Sequence, residues 1–313
     1  MMATELLMVA PMMPHVMEAL DRDFQVHRLW EAEDCQALLS EVGGRVKGIA
    51  TNGHAGASAE LMSALPNLEV ISCFGVGYDG IDVEHAKTQG VIVTNTPDVL
   101  TEDVADIAFV LMLGVCRRIP QCDRYVREGK WLNGPYPLTD RLGGHTAGIL
   151  GLGRIGKAIA RRAEVCGMSV AYHGRREQTD QPYTFYADLA EMAAAVDYLV
   201  VACPGGAETD NLVNRRVLEA LGEKGTLINI ARGSVVEESA LVELLLDGKL
   251  RGAGLDVFAD EPKVPEALFA LDNVVLLPHV GSASKETRKA MGDLVVDNLV
   301  AHFAGKPVLT PVT

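Results

Sequence analysis

The stretch Gly151-Leu152-Gly153-Arg154-Ile155-Gly156 has the glycine spacing of a phosphate-binding turn. It directly follows the apolar run Thr146–Leu150 and opens a segment of helical character. In that setting the first glycine permits a tight turn, the second lets backbone approach a pyrophosphate, and the third lets helix and strand pack closely. The helix N-terminus adds free N–H groups and a partial positive charge. The spacing alone would also suit a structural turn; strand, loop, helix and following strand together favour a dinucleotide site. At the end of the following strand the run His173-Gly174-Arg175-Arg176 stands where an NAD-specific site places an acid for the ribose 2′-OH. Two guanidinium groups would pair with a 2′-phosphate instead. The expected cofactor is NADP(H), with NAD(H) as the alternative; the ligand-free reading of Arg175 and Arg176 is a pair of solvated charges.

Three further polar residues follow later apolar runs: Arg232 after Thr226–Ile230, Glu261 after Ala253–Val257, and His279 after Val274–Leu277. Ligands of an open α/β sheet lie at the carboxyl edge of its strands, so an Arg, a Glu and a His could converge there on a nicotinamide. Taken singly, His279 reads as a packed or surface histidine, Arg232-Gly233 as a turn and Asp260-Glu261-Pro262 as a helix start. Their joint position behind a dinucleotide loop favours the functional reading.

The elements that must position these residues alternate along the chain. Short β-like runs at Leu6–Ala10, Gln25–Leu29, Val46–Ala50, Leu68–Ser72 and Val91–Thr94 are separated by amphipathic stretches such as Met13–Leu20 and Ser58–Ala64. That rhythm predicts a parallel sheet covered on both faces. A long helix is expected from the N-cap Thr101 to a stop at Pro120, and its middle, Ile107–Cys116, is apolar enough to be buried on every side. The stretch Gly129–Thr139 reads as a loop, either an arm that packs on a partner or a surface loop with a packed aromatic.

A second series of six strands follows: Thr146–Leu150, Met168–Tyr172, Tyr198–Ala202, Thr226–Ile230, Ala253–Val257 and Val274–Leu277. The helix Ser284–Ala304, with the apolar stripe Met291, Leu294, Val295, Leu299 and Phe303, is expected to return to the first lobe. The fold class is therefore α/β, with two doubly wound parallel-sheet lobes and an interlobe cleft. Residues 1–98 plus 285–313 form the expected substrate-binding domain and residues 99–284 the dinucleotide-binding domain.

The 313 residues carry a net charge of −14, which disfavours nucleic acid and anionic membranes as partners. Six cysteines occur without a C-x-x-C, and no histidine pair has metal-ligand spacing, so no metal site is expected. No basic leader with a long apolar core opens the sequence, and the expected location is cytoplasmic with reduced thiols.

The runs Gly75-Val76-Gly77-Tyr78-Asp79-Gly80-Ile81-Asp82, Ala231-Arg232-Gly233, Gly254-Leu255-Asp256-Val257-Phe258, Asp260-Glu261-Pro262 and Pro278-His279, together with the glycine loop, give the chain a resemblance to the D-isomer-specific 2-hydroxyacid dehydrogenases over essentially its full length. The His173–Arg176 segment looks most like the NADP-dependent glyoxylate/hydroxypyruvate reductase branch. The resemblance implies reduction of a small 2-oxo acid to the D-2-hydroxy acid. It gives His279 the role of proton donor, Glu261 that of its orienting partner, and Arg232 that of carboxylate clamp and polariser of the keto oxygen. Val76 and Gly77 would bind the carboxylate through backbone amides. Asp256 would lie beside the nicotinamide and support the site, while Cys203, Pro204, Ile230, Ala231, Gly281 and Ser282 match cofactor or substrate contacts. One departure is Cys203-Pro204-Gly205-Gly206, where relatives often carry a bulkier His-Leu-Pro-Leu segment. The resemblance also implies a homodimer through the Ile107–Cys116 region and the arm that follows it. The alternatives are a dinucleotide-sensing binding protein of the corepressor kind, and a formate or phosphite dehydrogenase relative; Glu261 argues against formate, whose oxidation transfers no proton to a base.

Overall fold

The computed structural model describes residues 3–313. The chain divides into two compact units: one runs to Leu100 and resumes over Ser284–Thr313, and the other spans Thr101–Ala283.

The first unit begins β1 (Glu5–Met8), α1 (Pro14–Asp23), β2 (Gln25–Arg28), α2 (Cys35–Val42), β3 (Val46–Asn52), α3 (Ala59–Ser63), β4 (Val70–Phe74), α4 (Val83–Thr88) and β5 (Ile92–Thr94). Its strands lie in the order β2-β1-β3-β4-β5, every pair parallel. Successive side chains of a strand point to opposite faces, so a sheet with helices on both faces needs apolar residues at consecutive positions. Leu6, Leu7 and Met8 meet that need: Leu7 joins Ile49, Ile71 and Val93 on one face, and Leu6 and Met8 join Ala50 and Val70 on the other. Asp34, Ser58 and Asp82 cap the first turns of α2, α3 and α4 by accepting from backbone N–H groups there.

The second unit contains α5 (Thr101–Arg117), α6 (Ile119–Arg127), β6 (Thr146–Leu150), α7 (Arg154–Val165), β7 (Ser169–His173), β8 (Thr184–Phe185), α8 (Leu189–Ala195), β9 (Tyr198–Val201), α9 (Arg215–Leu221), β10 (Thr226–Asn229), α10 (Glu238–Leu246), β11 (Gly252–Leu255) and β12 (Val274–Leu276). Its all-parallel sheet runs β12-β11-β10-β9-β6-β7-β8. The chain leaves β6 toward β7 on one side and later returns to β9 on the other. That reversal beside β6 is the crevice at which doubly wound sheets bind ligands, and the glycine loop follows β6. The chain re-enters the first unit as α11 (Lys285–Phe303), capped by Ser284 and packed through Val295 and Leu299 on the α1 side of the first sheet.

Three sequence expectations need correction. The second sheet has seven strands, because the two-residue β8 adds an edge too short to leave a periodic signal. Pro120 does not end the long helix: Arg118 breaks it with a left-handed φ of 50°, and Pro120 sits in the first turn of α6, where its missing N–H forfeits no helical bond. Within one protomer the middle of α5 is not buried on all sides, since Val110 is 52% exposed. Within Gly129–Thr139 a 3-10 turn forms over Lys130–Asn133, and the Tyr136 ring packs edge-on against Tyr125, whose hydroxyl donates to the Gly134 carbonyl at 3.0 Å. Among the described residues no helix is long and apolar enough to cross a membrane.

Neighbouring positions on α5 test this packing. Leu111 is fully buried against Gly254, where an added Cβ would lie 2.8 Å from the Leu111 Cβ. Chemical denaturation of Leu111→Ala is expected to show a loss of about 2–5 kcal/mol, and Val110→Ser a smaller loss that depends on protein concentration, as for a position on a protomer interface.

Candidate active site

The glycines of the phosphate loop are required for different reasons. Gly151 adopts φ 97°, and a Cβ there would lie 2.8 Å from the backbone of Cys203. A Cβ on Gly156 would meet the Gly151 carbonyl oxygen at 2.2 Å, so the first turn of α7 can sit on β6 only without it. A Cβ on Gly153 would meet nothing within 4 Å. Gly153 is the N-cap of α7 and makes no side-chain cap, so the open space lies at the positive end of a twelve-residue helix. That is the cradle a pyrophosphate needs, and the residues present fit a dinucleotide.

Beyond β7, the His173 ring is fixed by its Nδ1, 2.9 Å from the Tyr186 carbonyl oxygen. Gly174 is open, and Arg175 and Arg176 are exposed and in no ion pair with a carboxylate of the described residues. Cys203 packs under Gly151; burial pushes its thiol up to about 11, so it stays protonated at neutral pH. Pro204 accepts from the Thr209 hydroxyl at 2.8 Å, which fixes the glycine-rich departure after β9. Ile230 and Ala231 are buried, and Ser282 is half-buried.

His279 and Glu261 meet. The imidazole Nδ1 lies 2.7 Å from Glu261 Oε2, and Glu261 Oε1 accepts from the Phe258 amide at 3.1 Å. Both carboxylate oxygens accept, so the proton on this side of the ring belongs to Nδ1. Nε2 is the ring nitrogen left over, on a side chain 46% exposed. His279 itself has a left-handed φ of 52°, a conformation that costs a non-glycine residue roughly 1–2 kcal/mol.

Asp256, 1% exposed at the end of β11, holds that conformation. Its carbonyl accepts from the His279 amide at 2.9 Å, and its carboxylate accepts from Val280 at 2.7 Å and Gly281 at 2.8 Å. Burial raises the carboxyl above its ordinary range, and the Val280 and Gly281 amides and His279 pull it back. A Cβ on Gly281 would lie 3.0 Å from Asp256 Oδ2, so glycine permits the grip.

Arg232 follows β10, and its Nη1 donates to the Ala231 carbonyl at 2.8 Å. Buried Asn229 shapes this turn, accepting from the Ala231 amide at 3.0 Å and donating to the Arg232 carbonyl at 2.9 Å. The next residue, Gly233, lies so close to the Phe258–Ala259 backbone that a Cβ would sit 1.9 Å from the Phe258 carbonyl carbon. The Arg232 turn is thereby seated on the loop that carries Glu261.

In the first unit, the loop after β4 presents two backbone amides. Gly75 has φ 145°; its amide donates to Thr96 Oγ1 at 3.0 Å and its carbonyl accepts from Thr96 at 2.9 Å. Asn95 Nδ2 donates to the Val76 carbonyl at 2.9 Å. In a planar trans peptide, fixing a carbonyl aims the following N–H the opposite way. Thr96 thus orients the Val76 amide and Asn95 the Gly77 amide, and neither amide donates to an acceptor among the described residues. Asn229, Asn95 and Thr96 escaped the sequence reading. Buried polar residues at strand ends are their only signal, and burial is not visible in a sequence.

The chain is similar to known proteins over its whole length. Residues 109–281 match the family described as D-isomer specific 2-hydroxyacid dehydrogenase, NAD binding domain. The chain is 51% identical over 312 residues to hydroxyphenylpyruvate reductase of Plectranthus scutellarioides, covering 100% of both chains. It is 51% identical over 306 residues to glyoxylate/hydroxypyruvate reductase A of Arabidopsis thaliana, covering 98% of each. Among solved structures, an NADPH-dependent glyoxylate/hydroxypyruvate reductase from Sinorhizobium meliloti, in complex with NADP and malonate, superposes with a TM-score of 0.94 at 50% identity, covering 99% of this chain and 97% of that one.

The Asp256 grip sets an expectation for one atom. Asp256→Asn turns an acceptor oxygen into an N–H donor facing an amide, and an unsatisfied buried pair costs about 1–3 kcal/mol. Thermal unfolding should shift down accordingly, with a larger loss in kcat than in dinucleotide affinity as His279 leaves its left-handed conformation; equal activity and stability would refute the grip.

Proposed function

The chain belongs to the D-isomer specific 2-hydroxyacid dehydrogenases, and on that basis we propose that it uses NADPH to reduce a small 2-oxo acid, such as glyoxylate or hydroxypyruvate, to the D-2-hydroxy acid. The observation that carries this reading is the 2.7 Å pair between His279 Nδ1 and Glu261, which leaves Nε2 as the other ring nitrogen. Reduction of a ketone needs a hydride on carbon and a proton on oxygen. The dinucleotide supplies the hydride when bound.

The chain's own residues do the rest. His279 delivers a proton from Nε2 to the keto oxygen, and Glu261 keeps the ring turned that way. Arg232 pairs with the substrate carboxylate and draws charge onto the keto oxygen. In the first unit the Val76 and Gly77 amides offer dipoles to a carboxylate, which lets a chain of net charge −14 hold an anion. Gly151–Gly156 takes the pyrophosphate, Arg175 and Arg176 the 2′-phosphate, and Cys203, Pro204, Ile230, Ala231, Gly281 and Ser282 flank the cofactor. Exposed Val110, Ile119, Val126, Trp131, Leu132 and Leu138 support a homodimer built on α5, α6 and the segment after them.

The test is a panel of 2-oxo acids from glyoxylate to an arylpyruvate, mixed with enzyme and NADPH while cofactor absorbance is followed. Consumption with none of them would overturn the reading. His279→Ala and Arg232→Ala are each expected to lower kcat/KM at least about 10²-fold, as for a lost proton donor or charge clamp. Replacing Arg175 and Arg176 by Ser should raise KM for NADPH at least about tenfold, with KM for NADH little changed. Equal effects on both cofactors would remove these arginines from 2′-phosphate recognition.

A further inference from the structure

The carboxyl-side segment Leu309–Thr313 closes onto the far edge of the first sheet. Thr94 bridges to Pro311, the Val312 amide donates to Val93 at 2.7 Å, and the Val93 amide donates to Thr313 Oγ1 at 3.0 Å. Within this segment Thr310 is gripped from two sides. Its hydroxyl donates to the Asn95 backbone carbonyl at 2.6 Å and accepts from Asn298 Nδ2 at 2.9 Å, while the Asn95 amide donates to the Thr310 carbonyl at 3.3 Å.

Asn298, fully buried on α11, uses its whole side-chain amide for this junction. Its Oδ1 accepts from Leu309 at 2.9 Å and Thr310 at 3.1 Å, and its Nδ2 also donates to the Leu294 carbonyl at 2.8 Å. A line of hydrogen bonds therefore runs from the rigid helix through Asn298 and Thr310 to Asn95, and from the Asn95 side chain to the Val76 carbonyl. The Val76 carbonyl and the Gly77 N–H belong to one planar peptide, so whatever fixes the first aims the second.

We propose that Thr310 and Asn298 are positioning residues for substrate binding: they clamp Asn95 so that the Gly77 amide faces the carboxylate of the 2-oxo acid. The proposal rests on the assignment of the Val76 and Gly77 amides to that carboxylate. Neither residue touches substrate. Their effect is on how well a ground-state anion is held, which is read in KM and not in the proton-transfer step.

Steady-state kinetics of four variants test it, with NADPH affinity followed by fluorescence titration and folding by thermal melt. Thr310→Val keeps the shape and removes the hydroxyl; KM for the 2-oxo acid should rise about five- to tenfold, the worth of about one hydrogen bond, with kcat within about twofold and NADPH affinity unchanged. Thr310→Ser should restore KM. Asn95→Ala, which removes only the bond to Val76, should give the same KM-selective rise and serves if Thr310→Val melts early. Unchanged KM in Asn95→Ala, or parallel losses in kcat and NADPH affinity in Thr310→Val, would overturn the proposal. Gly77→Pro separates the two claims, because it deletes the amide itself. If it leaves KM unchanged, the carboxylate assignment fails; if it raises KM while Thr310→Val and Asn95→Ala do not, only the clamp fails.

Discussion

The site depends on one buried carboxylate. Asp256 is an acid without access to water, an arrangement that destabilises the fold unless its oxygens are satisfied. It is satisfied by the amides of Val280 and Gly281, and its own carbonyl takes the amide of His279. These three bonds hold a histidine in a backbone region that histidine seldom occupies. Strain of this kind persists only where the surroundings over-determine it. The result is a ring whose Nδ1 meets Glu261 at 2.7 Å.

The same arrangement recurs at the other loops of the candidate site. Asn229 bends the chain into the Arg232 turn, and Thr96 and Asn95 set the two peptide planes of the Gly75–Gly77 loop. In each case a buried side chain beside a strand end satisfies backbone groups of a loop that would otherwise leave them unpaired. The parallel sheets supply the rigid strand ends, and these polar side chains carry that rigidity into the loops. Gly233 then seats the Arg232 turn directly on the Phe258–Ala259 backbone, joining the arginine loop to the glutamate loop without any side chain between them.

Much of this was legible in the sequence because apolar periodicity and glycine spacing are local. Leu6–Ala10 reads as a strand because a buried parallel strand must be apolar at consecutive positions, and the glycine loop reads as a dinucleotide site because its neighbours have the right character. The grouping of His279 with Glu261 was inferred from strand-end placement and from family likeness, and the fold supplies the contact. What escaped was non-local. The two-residue β8 has no period, Arg118 carries no sign that it will break a helix, and Pro120 looks the same whether it ends one helix or begins another. Asn95, Asn229 and Asn298 look like ordinary polar residues until burial makes their hydrogen bonds obligatory.

The three loop glycines divide the labour between architecture and ligand. Side chains at 151 and 156 collide with the chain itself, whereas one at 153 collides with nothing the protein provides. Integrity of the scaffold therefore constrains the outer two, and only a ligand seated at the loop would constrain the middle one. A descendant of this chain released from its redox duty could drift at 153 while keeping its neighbours, so that this single position would record, as a molecular fossil, whether a lineage still turns over cofactor.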